Sequence, residues 1–162
     1  PKSTAVLHNL GLALHGVGRY TEAVDTLRAV EADPRAFVSG RRLRAGSTEA
    51  GRVVNASLIV RSLAVLGRFD EAIREGEQML AAAELLSSAV SMVQATFGLG
   101  EAYRERGDWA RAIRLLERSV AGAREGGVGV MTAAVGSRLG AAYAHAGRLD
   151  EADVGDLAEE LV

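Results

Sequence analysis

Gly107-Asp108-Trp109-Ala110-Arg111-Ala112 decides how this chain folds, because the phrase is written four times. It also stands as Gly18-Arg19-Tyr20-Thr21-Glu22-Ala23, Gly67-Arg68-Phe69-Asp70-Glu71-Ala72 and Gly147-Arg148-Leu149-Asp150-Glu151-Ala152. Successive glycines lie 49, 40 and 40 residues apart. Self-similarity at such a period marks a stack of supersecondary units. Each phrase reads as a helix stop followed by a helix start. The glycine takes the left-handed conformation that closes a helix, and one polar residue leads into an aromatic or leucine that opens the next. Turns this short force the two helices to lie antiparallel. The alanine ending each phrase faces the preceding helix, where only a small side chain fits.

An apolar helical stretch precedes every phrase. Leu10, Ile59, Leu99 and Leu139 share one slot, and Leu14, Leu63, Tyr103 and Tyr143 the slot four residues on. Positions i and i+4 lie on one helical face, so each unit buries a stripe. Gly11, Gly100 and Gly140 follow the first slot, and a missing side chain there lets a neighbouring helix come close. The pattern predicts helices over 3–17, 20–32, 48–66, 69–85, 88–106, 109–125, 129–146 and 149–161. Pro34 ends the second helix, and the Gly- and Arg-rich stretch 34–47 is read as an irregular loop. Glu125-Gly126-Gly127-Val128-Gly129 marks a turn between units.

Composition limits the function classes. The 162 residues carry a net charge of −2, so no global field draws the chain to nucleic acid or membrane. Apolar residues make up 48% but aromatics only 4%, which suits closely packed helices. There is no cysteine, hence no disulfide framework or thiolate metal site. No apolar run approaches the ~20 residues that span a bilayer. Eighteen of the nineteen Lys and Arg residues are arginine, read as GC-rich bacterial coding. Pro1-Lys2-Ser3-Thr4 has neither an initiator Met nor a signal-peptide core, so the chain is read as an excerpt of a longer, cytoplasmic protein.

The wording of the units resembles the tetratricopeptide repeat. Leu99-Gly100-Glu101-Ala102-Tyr103, Gly107-Asp108-Trp109, Ala112 and Leu116 carry the match in the third unit. Leu10-Gly11, Ala13-Leu14, Gly18-Arg19-Tyr20, Ala23, Leu27 and Asp33-Pro34 carry it in the first. The second unit departs, with Val60 in place of Gly and Gly76 where a large apolar residue is usual. The fourth departs at Asp153, Gly155 and Asp156. The resemblance implies an all-α solenoid of about four antiparallel helix pairs in a right-handed superhelix. Residues 1–162 then form one repeat domain with units near 3–34, 47–86, 87–126 and 127–162. The standard repeat is ~34 residues. The longer step here is similar to the repeat regions of multidomain bacterial signalling ATPases, nucleotide cyclases and LuxR-type regulators.

In such a stack the first helix of each unit lines a concave groove. By register, the groove positions are His8, Leu12 and His15, then Ser57, Arg61 and Ala64, then Gln94, Phe97, Glu101, Arg104 and Glu105, and finally Ser137, Ala141 and His145. The binding candidates are His8, His15, Ser57, Arg61, Gln94, Glu101, Arg104, Glu105, Arg138 and His145. The arginine fork offers paired donors that suit a carboxylate or peptide carbonyls. No catalytic or metal set emerges. His8 and His15 are seven apart, whereas zinc ligands on one helix sit three or four apart. There is no phosphate-binding Gly-x-x-x-x-Gly-Lys-Ser/Thr run. Arg41, Arg42 and Arg44 lack the interleaved aromatics of a nucleic-acid contact and are read as a solvated loop. Tyr20, Phe69 and Trp109 are read as core. The expectation is a non-enzymatic, cofactor-free scaffold that binds protein or peptide within a bacterial regulator. It binds no nucleic acid directly and no membrane. Effector sensing is the alternative reading, and self-association through exposed repeat ends a further one.

Overall fold

A computed structural model describes residues 4–33, 48–86 and 88–152. Its helices are α1 (Thr4–Gly16), α2 (Tyr20–Ala32), α3 (Thr48–Val65), α4 (Phe69–Glu84), α5 (Ala89–Arg106), α6 (Trp109–Glu125) and α7 (Gly129–His145). Among the described residues there is no strand. All seven lie within one residue of the bounds that the pattern predicts. Of the eighth, predicted over 149–161, the described residues hold a 3-10 turn at Leu149–Glu151. The remainder of that expected helix, the loop 34–47 and Arg41, Arg42 and Arg44 lie outside the described residues.

The four phrases build one motif. Gly18, Gly67, Gly107 and Gly147 have φ of 81°, 75°, 86° and 75°, where a Cβ would crowd the following carbonyl. Each glycine N–H bonds back three residues, to the carbonyls of His15, Ala64, Arg104 and Ala144. The next N–H bonds back five, from Arg19 to Leu14, Arg68 to Leu63, Asp108 to Tyr103 and Arg148 to Tyr143. This Schellman arrangement satisfies carbonyls that a helix end leaves open. The next helix starts at once, held at its first turn by ion pairs Arg19–Glu22, Arg68–Glu71 and Arg148–Glu151, with the signs exchanged at Asp108–Arg111.

Packing follows from these turns. α1 packs on α2, α3 on α4 and α5 on α6, while α2, α4 and α6 each pack on the first helix of the following pair. The helices α1, α3, α5 and α7 form one row, in which α3 and α5 pack closely and the outer neighbours touch lightly. Ala23, Ala72 and Ala112 are fully buried, as the phrase requires. Leu27, Ile59, Leu63 and Leu116 fill the space between rows. Burying each stabilises the fold by about 1.5–3 kcal/mol.

Departures from the family pattern have local causes. A Cβ on Gly76 would lie 2.7 Å from Leu99 Cδ1, so Leu99 already occupies the space a large residue would take. Leu10 is 38% exposed, whereas Ile59, Leu99 and Leu139 in the same slot are buried. Those three are covered by α2, α4 and α6, and no described helix precedes α1 to do the same. Val6, Leu12 and Val17 are exposed with Leu10. Tyr20, Phe69 and Trp109 are half-buried rather than core, because their rings sit at the turns, where fewer helices surround them.

Candidate functional site

The row α1, α3, α5, α7 presents polar side chains to one cavity of about 230 Å³. Helical register explains who arrives. Glu101, Arg104 and Glu105 are i, i+3 and i+4 on α5, and Arg61 and Val65 are i and i+4 on α3. His15 from the last turn of α1, Tyr20 from α2 and Arg138 from α7 complete the lining.

Among the described residues Glu101 is the most enclosed charge, 5% exposed. Arg104 Nε donates to its Oε1 at 2.7 Å, and Arg138 Nε stands 3.6 Å from its Oε2. Arg104 also bonds Glu105. Burial alone would lower the Arg104 pKa, but its hydrogen bonds and charge contacts with Glu101 and Glu105 leave it raised. Arg61 is different. Among the described residues no carboxylate pairs with it, and its guanidinium lies 4.6 Å from the centre of the Phe97 ring. Burial lowers its pKa, the Glu101 charge opposes the fall, and Arg138 and Arg104 add to it. The group is a cation held in a place that disfavours its charge.

His15 is held neutral. Ser62 Oγ donates to the Leu58 carbonyl at 2.8 Å, so it accepts from His15 Nδ1–H, also at 2.8 Å. The His15 pKa falls to about 4, first by burial and then by Arg61 and Arg138, with Glu101 opposing. The imidazole meets Tyr20 edge-on at 5.4 Å.

A second cavity of about 510 Å³ adjoins the first, lined by Arg61, Gln94, Phe97, Met131, Ala134, Ser137 and Arg138. Gln94 Nε2 donates to Met131 Sδ at 3.2 Å. Seven of the ten groove candidates therefore line one cavity or the other.

Three lie elsewhere. His8 Nδ1–H donates to Asn55 Oδ1 at 3.1 Å, while Asn55 Nδ2 donates to the Leu27 carbonyl and to Glu31, tying α1 to α3 and α2. Ser57 is fully buried and donates to the Gln94 carbonyl at 2.9 Å, inside the α3–α5 joint. His145 stacks on Trp109, 4.7 Å between centres and 6° from parallel, where α7 meets α6. Tyr20, Val65, Met131 and Ala134 also line the cavities and were not among the groove positions read from the sequence. Among the described residues, no cluster of three metal-ligating side chains occurs and no helix is long and apolar enough to cross a membrane.

Comparison with known proteins fits this architecture. Family models described as tetratricopeptide repeat match residues 4–29 and 54–125, together well over half of the chain. Among solved structures, one of nearly identical TPR-like repeats, from a Podosopora anserina protein designated a kinesin light chain, superposes with a TM-score of 0.66. It is 25% identical over 96% of this chain and 72% of that one. A point variant of those repeats gives 0.66 and 24%, over 96% and 71%. No curated protein matches the chain.

Proposed function

We propose that this chain, which belongs to the tetratricopeptide repeat family, is a non-enzymatic scaffold that holds a peptide or partner domain against its α1, α3, α5, α7 face. Repeats of this family generally mediate protein–protein interactions and are typically non-catalytic. In this reading the units 3–34, 47–86, 87–126 and 127–162 each supply their first helix to a concave groove. The eighteen-residue α3 and α5 support a place within a bacterial signalling or transcriptional regulator, as the long-helix resemblance implies.

One observation carries the reading. Four helices bring His15, Arg61, Glu101, Arg104, Glu105 and Arg138 to a single cavity, and Arg61 has no carboxylate partner among the described residues. The second row instead carries exposed ion pairs such as Arg118–Glu84. Amide shift mapping with peptides selected from a random display library is the test. Perturbations concentrated on α3, α5 and α7 are expected. Perturbations confined to α4 and α6, or no selection at all, would refute the groove.

A second reading is favoured by the 510 Å³ cavity, which falls in the ~300–1,000 Å³ range of small-ligand pockets. In that case the chain senses a metabolite effector. A thermal-shift screen would reveal it, since a ligand that binds only the folded state raises Tm. No hit across a broad metabolite library counts against it.

A further inference from the structure

Helix α1 carries two stripes. His8, Leu12 and His15 stand at i, i+4 and i+7, and the two histidines bond Asn55 and Ser62 on α3. Val6, Leu10, Ala13 and Val17 stand at i, i+4, i+7 and i+11, and all four are exposed. Val17 lies one residue beyond the helix, but its N–H bonds the Ala13 carbonyl at 3.0 Å and so keeps helical register. This second stripe turns away from α2, which closes on the opposite side, where a Cβ on Gly11 would lie 2.5 Å from Leu27.

The slot of Leu10 holds Ile59, Leu99 and Leu139 in the other units, each buried under a helix of the pair before. A helix therefore fits this place, and the composition of α1 selects which. Thr4–Gly16 contains no Asp, Glu, Lys or Arg, so a charged amphipathic helix gains no ion pair here and a second α1 meets no like charge. The stripe's spacing is a palindrome of four, three and four residues, centred between Gly11 and Leu12. An antiparallel copy of α1 consequently falls in register with it.

We infer that α1 pairs with α1 of a second copy across a two-fold axis, Val6 against the partner's Val17 and Leu10 against the partner's Ala13. The contact is isologous, so a large side chain covers a small one twice. It goes beyond the peptide-groove reading and leaves the stripe of His8, Leu12 and His15 open. A helix of 13 residues is about 20 Å long. One such pair buries less than the ~1,600 Å² of a standard interface, so association is weak and reversible.

Light scattering over rising concentration should show the mass climbing from that of one chain toward that of two. Leu10→Glu changes an exposed side chain, so it should keep the helicity and hold the chain single. Cysteine tests the register, because the chain has none of its own. Val6→Cys mixed with Val17→Cys should link under mild oxidation about tenfold faster than either variant links to itself. A single chain at every concentration overturns the inference and leaves the stripe to a helix of another protein. A mass that grows past two chains, a dimer that survives Leu10→Glu, or Val6→Cys linking fastest to itself overturns it as well.

Discussion

The Tyr143 hydroxyl donates to Glu117 Oε1 at 2.6 Å, repeating forty residues later the bond from Tyr103 to Glu77 Oε1 at 3.1 Å. Each ties the first helix of one pair to the second helix of the pair before it. An arginine lies over each ring, Arg148 at 4.7 Å and Arg111 at 5.3 Å. The joint between pairs is therefore polar at its edge and apolar beneath.

That joint predicts a titration. Burial, then the Glu117 hydrogen bond and charge, push the Tyr143 pKa up to about 12. The neutral phenol is favoured in the native state, so the stabilisation is complete below pH 10 and is lost as pH rises from about 10 to 12. Tyr143→Phe should cost about 0.5–1.5 kcal/mol in urea unfolding at neutral pH. A wild-type-minus-variant absorbance titration should show one tyrosinate appearing near pH 12. A midpoint near 10 would show that neither the burial of the ring nor its bond to Glu117 holds in solution.

His15 predicts the opposite dependence. Its pKa falls from 6.5 to about 4, so between these values the unfolded chain binds the extra proton and stability rises with pH. Stability is complete above 6.5 and declines as the pH falls toward 4. Glu31, whose pKa burial raises, titrates in the acidic range too, so the readout is the difference between wild type and His15→Gln. The variant should flatten the slope, because Gln donates to Ser62 without protonating. A His15 ring-proton midpoint near 6.5 by NMR would sink the assignment.

How far the sequence carried is visible in individual residues. Helix ends were legible because one short phrase encodes both a left-handed glycine and a buried alanine. Arg61, Glu101, Arg104 and Glu105 were legible as a face because register places them on the same side of the first helices of successive pairs. Ser57 was not. A Cβ on Gly98 would lie 2.7 Å from Ser57 Oγ, so α3 and α5 close over that position, a fact of helix approach that no single-helix register contains. His145 was missed for a similar reason. It sits in the last turn of α7, where a stacking partner on α6 holds it. Tyr20 belongs to a turn whose aromatic slot reads as core, yet its ring faces His15 across the cavity.

The repeat provides its own control for burial. Leu10 and Leu99 hold the same slot, but Leu10 is 38% exposed and Leu99 3%. Leu99→Ala should cost about 2–5 kcal/mol, the loss typical of a buried leucine, and Leu10→Ala less than about 1 kcal/mol. Urea unfolding of both variants, at a concentration where the chain is single, decides it. Equal losses there would show instead that Leu10 is covered within its own chain.

Gly76 sets a limit on consensus design. Restoring the large apolar residue usual at this place in the repeat should destabilise this chain. A Cβ at Gly76 meets Leu99 Cδ1 at 2.7 Å, and Leu99 is itself buried beneath α4. With Gly76→Ala, relief of the ~1 kcal/mol that glycine costs within a helix opposes the rotation Leu99 must make. The two nearly cancel, because the clash is with the far end of a flexible side chain. With Gly76→Leu the added atoms have no space and Leu99 cannot retreat far enough, so overpacking of about 1–3 kcal/mol remains. Thermal unfolding should therefore rank wild type and Gly76→Ala close together, with Gly76→Leu clearly below both. If Gly76→Leu melted higher, α4 and α5 would have to stand further apart than this packing places them.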